Sequence, residues 1–348
     1  MKFYKFFIII LAFFIKTETI ISSENIFYVN NIELIKDAKI SYEELTNKAI
    51  AKGFERLGKK ILLTEDIKKL SILKFSQIKD LVSYYQITTK NDGSEKKDTK
   101  IYNIFFDKDK IHNLFFNLGI FYSEIENKEF YFLPILKRQG QLFIYNKNFF
   151  YQNWNSFNQN EIIEFILPLE NIEIIQKINE KKENLLDLDL GEIFKEYSSN
   201  NHGIVLIDIT NPKREKIYLK TKILGKNIDK SLEIKRLNLE KEKYYEKLIS
   251  DISIVISNLV KSQNLIDVRT PSFLNTKLII NRKNNLEVLN KRIQRIDAIN
   301  NIYVQELNKD YVLIKFKYLG KLEKIISQLK KNKIILEQRE NEWSLKII

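Results

Sequence analysis

Residues 302–329 read IYVQELNKDYVLIKFKYLGKLEKIISQL, and this stretch decides the fold class. Apolar and polar residues alternate over 311–318, which is the period of a strand with one buried face. A shorter strand is predicted over 302–307, and Asn308-Lys309-Asp310 supplies the turn between the two. A segment with helical spacing follows Gly320. The stretch therefore predicts a strand, a turn, a strand and a helix in succession.

The flanking sequence extends this unit to a complete module. A strand is predicted over 276–281 and a helix over 286–296 on its N-terminal side. On its C-terminal side, a strand or hairpin is predicted over 333–347. The resulting order, β-α-β-β-α-β, is that of the ferredoxin-like split βαβ unit. We place this C-terminal module at residues 271–348.

The first part of the chain has nearly the same order of elements. A strand at 26–35 precedes a helix that begins with a capping box formed by Ser41 and Glu44. Later elements are strands at 82–88 and 101–106, a helix at 109–118 and a closing strand at 129–135. The pattern predicts a βαββαβ-type N-terminal module, which we bound at residues 24–128.

The middle of the chain, residues 129–270, is less regular. Strands are predicted at 141–145, 203–209 and 216–224, and helices at 186–197 and 240–263. A run of strands closed by a long helix indicates an α/β module in which the helix covers a sheet. The whole chain is therefore predicted to be an α+β protein built of several modules.

The N-terminus has the features of an export signal. Lys2 and Lys5 precede ten uninterrupted apolar residues at 6–15, too few for a membrane helix, which needs about 20, but typical of a signal peptide. We predict a signal peptide over 1–23, cleaved after Ser22 or Ser23, and a periplasmic location. An uncleaved membrane anchor is the alternative interpretation.

The composition admits two interpretations of the positive charge. The 348 residues carry a formal net charge of +13, with 44% hydrophobic residues, and only nine of the 58 basic residues are Arg. Lysines are spread along the chain beside 45 acidic residues, which indicates general composition and solubility rather than a nucleic-acid surface. The other interpretation is a real anionic partner, for which a membrane surface or cell-wall polymer fits better than DNA. We predict no nucleic-acid partner.

The sequence contains few residues of the types that form catalytic, metal-binding or cofactor-binding sites. The absence of cysteine excludes disulfides, thiolate catalysis and iron–sulfur clusters. The two histidines, His112 on the polar side of a predicted helix and His202 in a predicted loop, read as surface residues, and no Gly-x-Ser-x-Gly or glycine-rich phosphate motif occurs. The carboxylates Asp187, Asp189 and Glu192 lack calcium-loop spacing and read as an ordinary helix start. We predict no enzymatic activity, no metal site and no cofactor.

Aromatic residues concentrate in one segment, 143–157. It contains Phe143, Tyr145, Phe149, Phe150, Tyr151, Trp154 and Phe157. One interpretation is a loop that folds its rings onto the core of the middle module. The other is a partly exposed surface for a protein, peptide or glycan, because Tyr and Trp concentrate at binding hot spots. Under that interpretation Phe150, Tyr151 and Trp154 bind the partner, with Trp154 as the anchor.

Several motifs resemble a bacterial envelope family known as domain of unknown function 2066. They are AIAKGFERL at 49–57, FLPIL at 132–136, YQNW at 151–154 and YLG at 318–320. The chain departs from that family in being richer in Lys, Asn and Ile and poorer in Ala and Arg. The resemblance implies an envelope location and a multi-module, non-enzymatic protein, and it assigns no catalytic residue.

The sequence therefore predicts an exported, periplasmic, non-enzymatic protein that acts through contacts with envelope proteins. The alternative is a binding module for an anionic or glycan envelope ligand such as cell-wall material. In both cases the membrane is contacted only through an uncleaved signal segment.

Overall fold

The computed structural model describes residues 25–37, 39–90, 98–125, 128–158, 162–197, 201–211, 213–280, 285–339 and 342–348. The predicted signal peptide, residues 1–23, lies outside these ranges. Within them, no helix combines the length and the apolar character that crossing a bilayer requires.

The elements follow the chain in three groups. The first group is β1 (Tyr28–Ile35), α1 (Tyr42–Ile61), α2 (Thr64–Ile67), α3 (Phe75–Asp80), β2 (Val82–Lys90), β3 (Thr99–Phe106) and α4 (Lys108–Leu118), with a 3-10 turn at Lys68–Ile72. The second begins with β4 (Tyr122–Ser123), β5 (Glu129–Arg138), β6 (Gln141–Phe143), α5 (Phe149–Phe157), β7 (Glu164–Ile166), α6 (Ile172–Glu180) and α7 (Leu190–Ile193), with a 3-10 turn at Leu185–Asp187. It continues with β8 (Asn201–Asp208), β9 (Arg214–Ile223), β10 (Lys226–Lys235), α8 (Lys241–Ser262) and β11 (Leu265–Ile266). The third is β12 (Ser272–Ile279), α9 (Asn285–Ile293), β13 (Ile299–Leu307), β14 (Tyr311–Tyr318), α10 (Leu322–Lys331), β15 (Ile334–Arg339) and β16 (Glu342–Ile347). The mixture of helices with antiparallel and mixed sheets confirms the predicted α+β class.

The chain divides into two compact units. The first contains the described residues up to Leu57, together with Lys74–Leu118 and Asp267–Ile348. The second contains Gly58–Leu73 and Gly119–Ile266. The module boundaries at 128/129 and 270/271 stay a prediction.

The N-terminal sheet of the first unit has the order β1-β3-β2 and is antiparallel. Helix α1 begins as predicted, with the Ser41 hydroxyl accepting a hydrogen bond from the Glu44 amide at 3.1 Å. Gly53 brings this helix close to the sheet, because a Cβ there would lie 2.8 Å from Ile104 Cδ1 and 3.0 Å from Ile32 Cδ1. Ile32, Tyr102 and Ile104 are fully buried, so they mark the face of the sheet that is covered by the rest of the protein.

The strand predicted to close the N-terminal module lies in another sheet. β5 pairs with β8, β6 and β7 in a six-stranded sheet whose main order is β10-β9-β8-β5-β6. Residues 132–136 of β5 are buried whichever face they point to. Such a strand belongs in the interior of a sheet covered on both sides, which explains the correction.

The six-stranded sheet of the second unit has a hydrophobic cluster on each face. One contains Phe132, Val205, Ile207, Ile217 and Leu219 with the apolar side of α8. The other contains Leu133, Ile135 and Ile204 with side chains of α6 and α7. The long helix predicted over 240–263 therefore covers a sheet, as its apolar stripe indicated.

The C-terminal sheet has the order β13-β14-β12-β16-β15. The split βαβ order is present, with β14 antiparallel to both β12 and β13. The strand next to β12 on the other side is β16, the second strand of the terminal hairpin, and it runs parallel to β12. Both hairpin strands place apolar residues on the core face, so alternation alone does not reveal which one lies beside β12.

Candidate functional site

The aromatic segment folds inwards around one asparagine. Asn148 is 0% exposed, and its side-chain oxygen accepts hydrogen bonds from the amides of Phe150 (3.1 Å) and Tyr151 (3.4 Å), capping α5. Its amide nitrogen donates to the carbonyls of Pro134 (2.9 Å) and Ile144 (3.0 Å). A buried side chain with its polar atoms satisfied in this way fixes the helix against β5.

This packing corrects two of the three predicted partner-binding residues, Phe150 and Trp154. Phe150 and Trp154 are both 0% exposed. The Trp154 ring lies 4.5 Å from the ring of Phe132 and 5.6 Å from that of Phe165, measured between centroids. Tyr151 is half-buried, and its hydroxyl donates to the Pro168 carbonyl at 2.9 Å. The rings form core, so neither Phe150 nor Trp154 has surface to offer a partner.

The two histidines also differ from their predicted places. His112 is buried on the inner side of α4, where its ring meets Phe27 edge-on at 5.5 Å between centroids. Burial, with a smaller contribution from the charge of Lys108, lowers the pKa of His112 to about 4. His202 lies within β8 rather than in a loop and is half-buried. Neither position is that of a solvated surface residue.

The carboxylate-rich stretch has local structural roles. Asp189 accepts a hydrogen bond from the Gly191 amide at 2.8 Å and caps α7, as the interpretation of a helix start predicted. Asp187 accepts a hydrogen bond from Asn184. Across the described residues, no group of three or more His, Cys, Asp or Glu side chains is placed to hold a metal ion.

A cleft of about 250 Å³ lies beside α6 and α7. Its charged lining consists of Glu170, Glu173, Lys177, Glu192, Lys195 and Glu196. Lys195 Nζ lies 3.0 Å from Glu173, and Lys177 Nζ lies 3.1 Å from Glu192. The hydrogen bond from Lys195 lowers the pKa of Glu173. Both cleft lysines are thus engaged by neighbouring acids, and the cleft offers a ligand no uncompensated cation.

Two buried polar contacts were not predicted from the sequence. Glu215 is 0% exposed and accepts a hydrogen bond from the hydroxyl of Tyr244, whose pKa is raised by burial and by this carboxylate. Lys261 is 4% exposed and donates to the carbonyls of Lys59 and, at 2.7 Å, Leu62, at the C-terminal end of α1. Burial lowers the pKa of Lys261 to about 8. Each contact satisfies a group that the fold buries, which indicates a structural role.

Most sheet edges carry a feature that opposes pairing with another chain. β1 has a bulge between Val29 and Ile32, and the Arg56 guanidinium donates to the carbonyls of Asn30 and Asn31, both at 3.2 Å. β6 has only three residues, and β13 has two register shifts. Five of the ten residues of β10 are charged. Bulges, short strands and charges are the devices by which proteins protect edges.

β2 has none of these devices along most of its length. Its nine residues read VSYYQITTK, so its charge is confined to the last residue, and the register shift lies at its first residues. Tyr84, Tyr85 and Ile87 are 51%, 45% and 43% exposed. Within the described chain, β2 pairs with β3 alone. It is a long, uncharged edge with apolar side chains on both faces.

An aromatic ladder supports this edge. The ring of Phe105 on β3 stacks on Tyr28 of β1 at 4.3 Å and on Tyr84 of β2 at 4.1 Å between centroids. Cross-strand aromatic pairs of this kind stabilise a sheet. The ladder therefore holds β2 as a preformed strand. The sequence predicted the strand over 82–88, and the uncharged run 81–89 was the available signal for an unusual edge.

Comparison with known proteins adds no relative: no protein-family model matches the chain, and neither a curated protein nor a solved structure matches it. The resemblance to the envelope family of domain 2066 stays a prediction.

Proposed function

We propose that this chain is an exported, non-enzymatic protein of the cell envelope that acts by binding other proteins, and that strand β2 is its contact. The observation that carries the proposal is the β2 edge, with Tyr84, Tyr85 and Ile87 exposed and no charge from Val82 to Thr89. An extended segment of a partner extends such a sheet by main-chain hydrogen bonds, while exposed side chains give specificity.

The polar groups buried in the interior support a binding role over catalysis. Asn148, Glu215 and Lys261 are each engaged by backbone or side-chain partners that hold elements together. A catalytic acid, base or nucleophile needs a proton or a reacting atom within its reach, usually in a cleft. These three residues instead serve the packing of α5, α8 and the end of α1.

The location rests on the N-terminal sequence. Two lysines followed by ten apolar residues are typical of a signal peptide. An exported protein without cysteine is stabilised by its cores alone, and the two large clusters of the second unit supply such cores. Envelope proteins are accordingly the partners that we propose.

The proposal is tested by co-purification from cells. The tagged full chain is crosslinked in the cell, and the captured proteins are identified by mass spectrometry. We expect a reproducible envelope protein that is lost with the double variant Tyr85→Lys/Ile87→Lys, because charges on an edge strand oppose strand addition. The matched control is Asn227→Lys/Ser231→Lys on β10, another edge with the same added charge, which should retain the partner. Equal capture by both variants would overturn the assignment to β2.

The non-enzymatic part of the proposal has its own test. The purified chain is assayed for hydrolysis of peptide, ester and glycan substrates, together with His202→Ala. A reproducible activity that this substitution removes would contradict the proposal, whereas activity at the level of the buffer supports it.

A further inference from the structure

The five-stranded C-terminal sheet has one covered and one open face. Side chains of α9 and α10, among them Leu289 and Leu329, pack with Leu278, Ile314 and Phe316 in the core beneath one face. Side chains point alternately to the two faces of a strand. The opposite face therefore carries the intervening residues, which are half-buried or exposed.

Four lysines form a diagonal stripe across that open face. Lys317 and Lys315 lie on β14 opposite Phe273 and Asn275 of β12. One step further along, Lys277 of β12 pairs with Leu313 and with Ser344 of β16. Lys346 follows two residues after Ser344 and is exposed. We call these four residues, Lys277, Lys315, Lys317 and Lys346, the lysine stripe.

The spacing along the lysine stripe follows from strand geometry. Residues two apart on one face are separated by about 7 Å, and neighbouring strands by about 4.8 Å. Successive members of the stripe are thus about 7–8 Å apart at the backbone. The stripe crosses the three central strands of the sheet, a distance of roughly 20–25 Å.

The charged neighbours of the stripe determine how far its positive charge is available to a ligand. Within the described parts of the chain, none of its four lysines forms an ion pair, whereas lysines elsewhere, such as Lys195 and Lys291, do. Three acids lie on the same face: Glu306 of β13 is on one side of the stripe, and Glu337 of β15 and Glu342 of β16 are on the other. Glu306 accepts a hydrogen bond from the Tyr311 hydroxyl at 2.8 Å.

Aromatic rings position two members of the stripe. Lys315 Nζ lies 4.7 Å from the ring centroid of Phe273, and Lys277 Nζ lies 4.4 Å from that of Tyr311. A cation over a ring face is attracted by the ring quadrupole. One face of each of these two rings is therefore occupied by a lysine.

We propose that the lysine stripe binds a single extended polymer chain that carries phosphate groups, a phosphodiester polymer of the cell envelope. Lysine is a point-charge ligand for phosphate, and a row of lysines releases the counterions of a polyanion. Recognition is through charge, because the rings hold the lysines. This site lies on a different sheet from the β2 edge and does not depend on protein binding at that edge, whereas the choice of an envelope polymer rests on the proposed export.

The shape of the charge distribution favours a chain over a membrane surface. A bilayer would meet the whole face, including Glu306, Glu337 and Glu342, whose charges repel anionic lipid. A single chain follows the diagonal, with Glu306 on one side and Glu337 and Glu342 on the other. Anionic vesicles should consequently bind more weakly than the polymer.

The test measures binding of the purified full chain to two fluorescent probes of equal charge, poly(glycerol phosphate) and oligothymidylate, from low to high salt. Four phosphate contacts predict a slope of log affinity against log salt of about −2.8 for a single strand. The variant Lys277→Gln/Lys315→Gln/Lys317→Gln should reduce the slope to about −0.7 and the affinity at low salt at least tenfold.

The control separates the stripe from overall charge. Lys226→Gln/Lys230→Gln/Lys235→Gln on β10 removes the same charge from another exposed strand and should leave the slope unchanged. Equal losses in both triple variants, or no binding of either probe at low salt, would overturn the proposal. An affinity for oligothymidylate tenfold above that for poly(glycerol phosphate) would contradict recognition by charge alone. Neither result bears on protein capture by β2, which the lysine-stripe variants leave intact.

Discussion

The six-stranded sheet of the second unit and the five-stranded sheet of the first differ in how much of each the chain covers. The six-stranded sheet has a hydrophobic cluster on either face. The five-stranded sheet has its cluster on one face, and its other face carries Phe273 and Ile279, both 53% exposed, among lysines. Successive side chains of a strand point to opposite faces in both sheets, so the difference lies in the residues on the second face, which are buried in β5 and half-buried in β14.

Because of this difference, we expect the six-stranded sheet to contribute mainly to stability and the open surfaces of the first unit to contribute mainly to binding. Apolar area removed from water stabilises a fold by roughly 25 cal/mol per Å². The second unit gains this on both faces of its sheet, and its long edge, β10, is protected by charge. The first unit instead leaves a sheet face and the uncharged β2 edge in solvent. Substitutions in the covered sheet should consequently cost stability, and those on the open surfaces should cost binding.

The largest expected effect compares an aromatic residue of α5 that is buried against the six-stranded sheet with one on the open face of the five-stranded sheet. Trp154→Ala should destabilise the protein by about 3–5 kcal/mol, because it removes a fully buried ring. Phe273→Ala on the open face should cost less than about 1 kcal/mol, since half of that ring is already in water. Denaturant unfolding of both variants measures the difference. Similar costs for the two would break the distinction between covered and open faces.

The next prediction concerns a buried polar side chain of the first unit, His112, which lies on α4 against the ring of Phe27. The pKa of His112 is about 4 in the folded protein and 6.5 ordinarily, so the unfolded chain binds its proton first as the pH falls. The contribution of His112 to the free energy of unfolding is fully present above about pH 6.5 and is lost as the pH falls from 6.5 to 4. The expected loss is about 3 kcal/mol.

Unfolding measured from pH 7 to pH 4 in the protein and in His112→Leu tests this loss. The variant lacks the histidine and should lose correspondingly less stability over the window, while other groups titrate equally in both. Identical pH profiles would show that His112 is accessible to water when folded.

The smallest effect concerns two glycines of the second unit. A Cβ at Gly203 in β8 would lie 2.8 Å from the Lys220 carbonyl oxygen, so Gly203→Ala should destabilise by about 1–3 kcal/mol through backbone strain. A Cβ at Gly58, within α1, would meet Leu70 Cδ1 at an ordinary 3.4 Å. Gly58→Ala should stabilise by about 0.5–1 kcal/mol. Thermal unfolding of both should give shifts of opposite sign, and shifts of the same sign would argue against the close approach of β8 and β9.

The sequence predicted correctly the helices and strands whose own residues show a full pattern of apolar and polar positions. The alternation over 311–318 and the apolar stripe of the long helix after 240 both correspond to observed elements, β14 and α8. Such a pattern arises when one face of the element is buried, and it can be read from residues that are close together in the sequence. Placement of β5 and the insertion of β16 beside β12 depend on partners distant in the chain, and no local pattern records them.

The candidate site was less predictable for a related reason. His112, Glu215 and Lys261 are polar residue types that read as surface, and their burial follows from tertiary packing. Trp154 was a plausible anchor for a partner by residue type. The hydrogen bond from the Asn148 side chain to the Pro134 carbonyl instead holds the aromatic segment against β5, in the core. The uncharged edge of β2 and the lysine stripe were visible as residues, but only the sheet orders placed them at an edge and along a diagonal.

Site-specific photocrosslinking in cells tests whether other proteins bind at the uncharged edge of β2. A photoreactive residue replaces Ile87 on β2 or Ser231 on β10, two exposed positions on edge strands of different sheets. We expect a discrete protein adduct from position 87 and none from position 231. Adducts of equal yield from both positions, or none from position 87, would contradict it.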